Sequence, residues 1–175
     1  MSKHKPRKGV APEQLELPHI EPVVHTLHET LQWFKQAVPK PTDQQLQVQL
    51  GVHLEEVSEM LEALFPVVID EAVQENVALA IRYLTILGNT FKQSPEPQMY
   101  INSVNSDELL DSLADQFVTV TGSAYMAGYD FIGACNEVNR SNYSKFEDGS
   151  PVFKEGGKIA KGKNYSPPNL TPFIP

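Results

Sequence analysis

Apolar side chains recur every three or four residues along most of the chain, which predicts a series of amphipathic helices. The first helix is predicted to start at Glu21-Pro22, where proline is tolerated, and to end before Pro39. The later long helices each follow a residue suited to capping, and Thr42 with Gln45 forms a capping-box pattern. The predicted helices span residues 21–38, 42–66, 70–91, 106–128 and 130–138.

The four long helices each have a continuous apolar stripe. In chain order the stripes are Val24, Leu27, Leu31, Phe34 and Val38; Leu50, Leu54, Val57, Leu61 and Leu64; Val73, Val77, Ala80, Leu84, Leu87 and Phe91; and Leu110, Leu113, Phe117 and Thr121. These stripes predict an all-α fold: a four-helix core with a short fifth helix and an irregular C-terminal hairpin and tail. The apolar surface that a four-helix core would leave exposed favours at least a dimer.

The two ends of the chain differ in composition from the helical part at residues 21–140. Residues 1–20 combine three prolines with mixed charge and are predicted to form a flexible N-terminal arm. Residues 141–175 are predicted to contain a turn at 147–151, a small hairpin at 152–159 and an extended tail. This C-terminal appendage contributes basic residues.

Charge is distributed unevenly along this 175-residue chain, whose length is that of one domain. Residues 1–20 hold four basic and two acidic residues, and residues 141–175 hold five basic and three acidic residues. Each end therefore carries a charge of +2, and residues 21–140 carry −12, which gives the net charge of −8. Nucleic acid is not an expected partner, because affinity for a polyanion comes largely from clustered lysine and arginine. No apolar run reaches the ~18 residues of a membrane span, so no membrane association is expected. The single cysteine, Cys135, and a basic start without a hydrophobic segment behind it favour a cytoplasmic location.

Two predicted helices carry acidic side chains on a face separate from the apolar stripe. On the second helix Glu55, Glu59 and Glu62 stack at helical spacing, with Glu56 on their flank. The fourth helix has a similar cluster of Glu108, Asp111 and Asp115. Like charges at this spacing repel unless a cation lies between them, and hard oxygen ligands suit magnesium, manganese or calcium. The two helices could therefore converge on a divalent cation, although an acidic helix face is more often only solvated.

The two acidic helices, taken with the C-terminal segment, resemble the all-α nucleotide pyrophosphohydrolase superfamily, which includes MazG-like enzymes. The resemblance on the helices is the Glu55-Glu56-x-x-Glu59 pattern and the acidic region around Leu113-Ala114-Asp115. The C-terminal sequence is similar to that of the phosphoribosyl-ATP pyrophosphohydrolase-like subgroup in three segments: Glu137-Val138-Asn139-Arg140-Ser141-Asn142-Tyr143-Ser144-Lys145, Asp148-Gly149 and Lys161-Gly162-x-Asn164-Tyr165-x-Pro167-Pro168. The glutamate pattern alone is weak, but its order with the aspartate helix and the tail is more specific.

The resemblance implies a magnesium-dependent hydrolase, with manganese as the alternative ion, in which residues 21–140 form the catalytic core. Its substrate would be a nucleoside triphosphate, cleaved to monophosphate and pyrophosphate, at a site often completed in a homodimer or higher homo-oligomer. Carried over by position, the metal ligands are Glu55, Glu56, Glu59 and Asp115. Relatives often have a further acidic residue where this chain has Ser112, and Asp111 or Glu108 could replace it as a ligand. Glu55 or Glu56 would activate the attacking water, and the sequence does not favour one over the other.

The candidates for substrate binding lie in the C-terminal segment and on the first helix. Lys145, Lys163 and Arg140 are expected to hold phosphates, although a single lysine is more often a solvated surface residue. Asn142 is expected to bind the sugar or base or, equally, to cap the fifth helix. Trp33 lies off the apolar stripe, where it either borders the core or offers a ring face to a base.

Two other functions compete with hydrolysis. The main alternative is a non-catalytic helical module that binds a nucleotide or a protein, with Ser112 marking a degraded site. A carboxylate-bridged di-iron bundle is less favoured, because the predicted helices lack Glu-x-x-His pairs.

Overall fold

A computed structural model of the protein describes residues 21–99, 103–154 and 158–175. The helices within these ranges are α1 Glu21–Ala37, α2 Asp43–Leu64, α3 Glu71–Gln93, α4 Ser106–Met126 and α5 Phe131–Tyr143. Short 3-10 turns lie at Phe65–Val67 and Thr171–Phe173, and no extended sheet is present in the described part of the chain. The prediction of an all-α fold is confirmed, whereas the predicted N-terminal arm lies outside the described residues. None of the helices in these ranges is both long and apolar enough to cross a bilayer.

Local caps explain where the helices begin. The Thr42 hydroxyl accepts from the Gln45 backbone N–H, and the Gln45 side-chain carbonyl accepts from the Thr42 N–H at 2.9 Å, which completes the predicted capping box of α2. Asp70 and Asp130 cap α3 and α5 by accepting backbone N–H groups at 3.0 and 2.9 Å. The cap of α4 is Asn105, one residue earlier than predicted. Each cap satisfies a donor that has no partner inside its own helix.

The α2 and α3 helices form a closely packed antiparallel pair. At their crossing, a Cβ added to Gly51 would lie 2.7 Å from the carbonyl oxygen of Gly88, so glycine is required for this approach. The hydroxyls of Ser58 and Thr85 are hydrogen-bonded at 3.0 Å, and the buried Gln47 donates to a backbone carbonyl of α3 at 3.2 Å. These polar contacts fix how the two helices are aligned along their length.

The α1 and α5 helices form a second pair, which is joined mainly by polar side chains. Thr30 donates to Asn139 Oδ1 at 2.9 Å, and Asn139 Nδ2 donates to the Thr26 carbonyl at 3.1 Å. Near the end of this pair, Trp33 stacks on Phe146 with ring centroids 5.9 Å apart. The small apolar core of the described chain lies at this stack.

The predicted apolar stripes of α1 and α4 are not the faces that the chain buries, and that part of the prediction is wrong. On α1, Leu27 and Leu31 are 56% and 48% exposed, whereas Trp33, off the stripe, is 7% exposed. No described residue of α4 is buried, and Leu110 and Phe117 are 69% and 45% exposed. The apolar period therefore identified helices correctly, but it did not identify what covers them.

The C-terminal segment contains the predicted turn and small hairpin. Residues 147–150 form a tight turn whose central residues have φ of 50° and 77°, as a type I′ turn requires. An antiparallel bridge then joins Phe153 to Ile159. The tail returns along α5, where the Ser141 hydroxyl donates to the carbonyl of Ser166 at 2.9 Å. This arrangement brings the hairpin against the ends of α1 and α5 and beside α2.

Candidate functional site

A cavity of about 280 Å³ lies between α1, α2, the C-terminal end of α5 and the C-terminal hairpin. Its apolar wall consists of Trp33, Phe34, Val38, Val48, Val52 and Ile159. Its polar lining consists of Gln45, Gln49, Glu56, Asn142, Lys145 and Lys158. An apolar wall with a few polar groups converging on it is the usual composition of a small-molecule site.

Trp33 belongs both to the core and to the wall of this cavity. Its ring stacks on Phe146 and meets Phe34 edge-on, with centroids 4.9 Å apart in the second pair. The indole Nε1–H of Trp33 is buried and has no hydrogen-bond partner among the described residues. A buried indole N–H normally finds an acceptor, so this donor is an exception within the site.

Three amide side chains line the cavity, those of Gln45, Gln49 and Asn142, and hydrogen bonds fix the orientation of two of them. The side-chain carbonyl of Asn142 accepts from the ammonium of Lys145 at 2.7 Å, and that of Gln45 accepts from the Thr42 backbone N–H. Because both partners can only donate, the orientation of each amide is fixed with its carbonyl toward that partner. Each amide NH₂ group makes no hydrogen bond within the described ranges, so it is available to a bound molecule.

Lys145 is half-buried at the side of the cavity, with its ammonium 5.8 Å from the centre of the Trp33 ring. Desolvation is the main cause that lowers its pKa, and repulsion from Lys161 and Lys158 lowers it further. The charge of a bound anion would offset both effects on this pKa, because negative charge favours the protonated ammonium.

Glu55 is held between two lysines from different parts of the chain. Its Oε1 lies 2.8 Å from Lys92 Nζ on α3, and its Oε2 lies 3.1 Å from Lys158 Nζ on the hairpin. These contacts, first among them the hydrogen bond from Lys92, lower the pKa of the Glu55 carboxyl. Of the predicted metal ligands, Glu55 is therefore the one that forms ion pairs with lysines of the described residues.

Glu56 and Glu59 are the remaining carboxylates of the predicted ligand pattern on α2. Glu56 lines the cavity, whereas Glu59 lines a smaller cleft of about 170 Å³ between α2 and α3. Although Glu56 as a residue is exposed, desolvation of its carboxylate raises its pKa, and repulsion from Glu59 and Glu55 raises it further. A divalent cation would remove this repulsion, so the hard oxygen donors of Glu56 and Glu59 fit magnesium or manganese.

The aspartates of α4 do not join these glutamates. Asp111 and Asp115 are both exposed, although the neighbouring Gln116 is hydrogen-bonded to His53 of α2. In the part of the chain that the structure describes, no three His, Cys, Asp or Glu side chains are grouped so that they could hold a metal. The glutamates of the predicted ligand pattern are thus divided, with Glu56 at the cavity and Glu55 and Glu59 at the cleft, and the aspartates of α4 line neither.

Two predicted phosphate-binding residues have other partners. Arg140 forms a bidentate pair with Glu137 at 2.7 and 2.8 Å and also donates to the Pro167 carbonyl at 3.1 Å. Lys163 is exposed, with its ammonium 3.7 Å from Asp148, and neither residue is among those that line the cavity.

Lys158 and Lys92 are site residues that the sequence analysis missed. Lys158 lines the cavity and Lys92 lines the smaller cleft, and both contact Glu55. No spacing rule singles them out, since Lys158 follows two glycines in the sequence and Lys92 lies in the last turn of an amphipathic helix. The basic character of the C-terminal segment was the only sequence signal for Lys158.

No family model, curated protein or solved structure matches this chain. The resemblance to the nucleotide pyrophosphohydrolases therefore stays a prediction, and function has to be argued from the cavity and its charges.

Proposed function

We propose that the protein binds a nucleoside triphosphate in this cavity and hydrolyses it to the monophosphate and pyrophosphate in a magnesium-dependent reaction. The observation that carries the proposal is the composition of one cavity, in which an aromatic wall, three amide side chains, two lysines and a carboxylate meet. A nucleotide presents the matching groups, namely a flat base with hydrogen-bond acceptors and a chain of phosphates.

The base is proposed to lie against the aromatic wall, chiefly on Phe34, which is 36% exposed, because Trp33 is buried and one of its ring faces is stacked on Phe146. The free NH₂ groups of Gln45 and Asn142 would donate to acceptors on the base or sugar. The ammonium groups of Lys145 and Lys158 would hold the phosphates, because a cation in a partly desolvated site binds an anion more strongly than one in bulk water.

Glu56 and Glu59 are the residues that would hold magnesium, and the ion when bound would neutralise phosphate charge. Glu56 is the better candidate for accepting a proton from the attacking water. It lines the cavity and has no ion-pair partner among the described residues, whereas Glu55 is committed to two lysines. Lys145 and Lys158 would then stabilise the pyrophosphate that leaves.

The test is turnover of a panel of ribo- and deoxyribonucleoside triphosphates with magnesium, with manganese and with EDTA, scored by pyrophosphate release. Glu56→Gln is expected to reduce turnover by about 100-fold or more, the range for loss of a proton acceptor. The matched control is Glu75→Gln, since Glu75 is an exposed carboxylate of α3 away from the cavity. Release of pyrophosphate from none of the nucleotides would overturn the proposal, as would a Glu56→Gln variant with unchanged turnover.

The exposed stripes of α1 and α4 support the further proposal that the chain acts as a homodimer. Leu31 and Phe117 are about half exposed, and burial of the remaining half of such side chains is favourable by roughly 1 kcal/mol each. A second copy would cover these stripes and would supply α4 carboxylates that a single chain leaves apart. Light scattering should give twice the chain mass, and Phe117→Lys should reduce it, whereas a wild-type monomer at working concentration would contradict the proposal.

A second candidate is a nucleotide-binding module without catalysis. It is favoured by the ion pairs of Glu55 and by the lack of a preformed three-ligand group within the described residues. This alternative predicts that nucleotides raise the melting temperature while no pyrophosphate is released, with or without a divalent cation. Turnover abolished by Glu56→Gln would exclude it.

A further inference from the structure

We infer that Glu55 is a positioning residue, which holds the ammonium of Lys158 at the cavity for a polyphosphate, and that it is not a metal ligand. The inference rests on the proposed function for the nature of the ligand. It departs from the role that the glutamate pattern implies, because Glu55 would hold a lysine while Glu56 and Glu59 would hold the metal.

The first step is the occupancy of the Glu55 carboxylate. Each oxygen has its own ammonium partner, Lys92 at 2.8 Å and Lys158 at 3.1 Å. One negative and two positive charges leave this group with a net positive charge. A divalent cation approaching Glu55 would therefore meet two ammonium groups, and Glu55 adds no net attraction for it.

The second step concerns what holds each lysine. The Lys92 side chain is only 12% exposed, and the absence of a side chain at Gly51 leaves room for its stem, since a Cβ there would lie 2.9 Å from Lys92 Cγ. Lys92 is thus fixed by packing and in turn fixes the Glu55 carboxylate.

Lys158 is held in a different way. Its backbone is fixed, because its carbonyl accepts from the Lys154 N–H at 2.9 Å and the next residue, Ile159, packs on the core at Trp33. Its side chain is 50% exposed, and the ion pair with Glu55 is its one polar contact within the described ranges. Without Glu55, the ammonium would be free to turn into solvent, at a cost in side-chain entropy when a ligand binds.

The third step is the geometry that this arrangement creates. Lys158 and the half-buried Lys145 line the same cavity, and Asn142 fixes Lys145 from its other side. Two ammonium groups held in this way suit an anion with several phosphates better than one with a single phosphate. The expected ligand class is a di- or triphosphate, whether free or as part of a nucleotide.

The experiment measures binding of inorganic triphosphate in EDTA by calorimetry, so that neither a metal nor turnover is involved. Glu55→Gln and Lys158→Met should each weaken binding by about 10-fold. The double variant should bind no more weakly than Lys158→Met, because both changes act on the same ammonium group. Lys158→Arg keeps a cation that can pair with Glu55 and should retain most of the affinity. Glu75→Gln and Lys154→Met are matched controls and should bind like the wild type.

If Glu55 were a metal ligand, Glu55→Gln would not weaken the metal-free binding of triphosphate. Removing a negative charge beside the phosphates would leave metal-free binding of triphosphate unchanged or make it tighter, and turnover would need more magnesium. That result would overturn the inference but not the proposed hydrolysis. Failure of the wild type to bind triphosphate would also overturn it, while pyrophosphate release from the nucleotide panel decides the proposed function separately. Because Lys158 is exposed, its variants should fold even if a change at Glu55 lowers stability.

Discussion

The crossing of α2 and α3 leads to the most specific stability prediction, which is that Gly51→Ala destabilises the protein although alanine favours helices. The added Cβ would lie 2.7 Å from the Gly88 carbonyl oxygen, 2.9 Å from Phe91 Cβ and 2.9 Å from Lys92 Cγ. Two of these neighbours are a backbone carbonyl and the first side-chain carbon of a helical residue. They cannot move aside without separating the helices.

The expected size follows from two opposing terms. Overpacking of a closely packed contact costs about 1–3 kcal/mol, whereas replacing glycine by alanine inside a helix gains about 1 kcal/mol. Gly122→Ala is the matched control, because Gly122 lies within α4 and a Cβ there has no neighbour within 4 Å. The control should show only the gain, so the two variants should differ by about 1–3 kcal/mol. For a domain of this size that difference corresponds to roughly 2–12 °C in melting temperature.

The assay is chemical and thermal denaturation of both variants and the wild type, followed by circular dichroism. Gly122→Ala should melt at or above the wild-type temperature, and Gly51→Ala should melt below it. Equal stabilisation by the two substitutions would refute the close approach of α2 to α3. It would also remove the packing argument for the position of Lys92.

Three other substitutions test single charges and polar groups. Glu56→Gln should raise the free energy of unfolding at neutral pH, because desolvation and then repulsion from Glu59 raise the pKa of Glu56. Urea titrations at several pH values should show that this gain in stability vanishes below the unfolded-state pKa of the carboxyl. Glu137 has its pKa lowered to about 2, mainly by Arg140, so its contribution to stability is present above the usual pKa of 4.5 and is lost as pH falls toward 2. Glu137→Gln should therefore weaken the acid dependence of stability in that window. An unchanged acid transition would contradict the ion pair with Arg140. Trp33→Phe removes an indole N–H that has no partner among the described residues. The stability lost with the smaller side chain should therefore be offset to within about 1 kcal/mol. A loss of stability above ~3 kcal/mol would show that the donor has an acceptor.

Helix positions could be predicted from the sequence because their signals are local. The capping box of Thr42 and Gln45 and the stop at Pro39 act over a few residues, so no knowledge of the rest of the fold is needed. The same holds for the turn at residues 147–150, whose glycine and aspartate suit its backbone angles.

The buried faces could not be predicted, because periodicity shows which face is apolar but not what covers it. On α1, Thr26 and Thr30 make the contacts to the buried Asn139 of α5, whereas Leu27 and Leu31 remain exposed. A threonine face is indistinguishable from a solvated face in a sequence. Only the position of α5 decides that these hydroxyl and amide groups are paired inside the protein.

The glutamates of α2 show the same limit for the candidate site. Their spacing correctly placed them near one another on a helix, and in the sequence pattern Glu55 and Glu56 were equivalent candidates. Their partners are what distinguish them, since the ion pair of Glu55 with Lys158 joins positions 103 residues apart and depends on the C-terminal hairpin. The same surroundings lower the pKa of one carboxyl and raise that of its neighbour. A motif can therefore indicate which residues form an acidic site. Whether each carboxylate can attract a metal ion, accept a proton or hold a lysine in place depends on the cations that the fold brings to it.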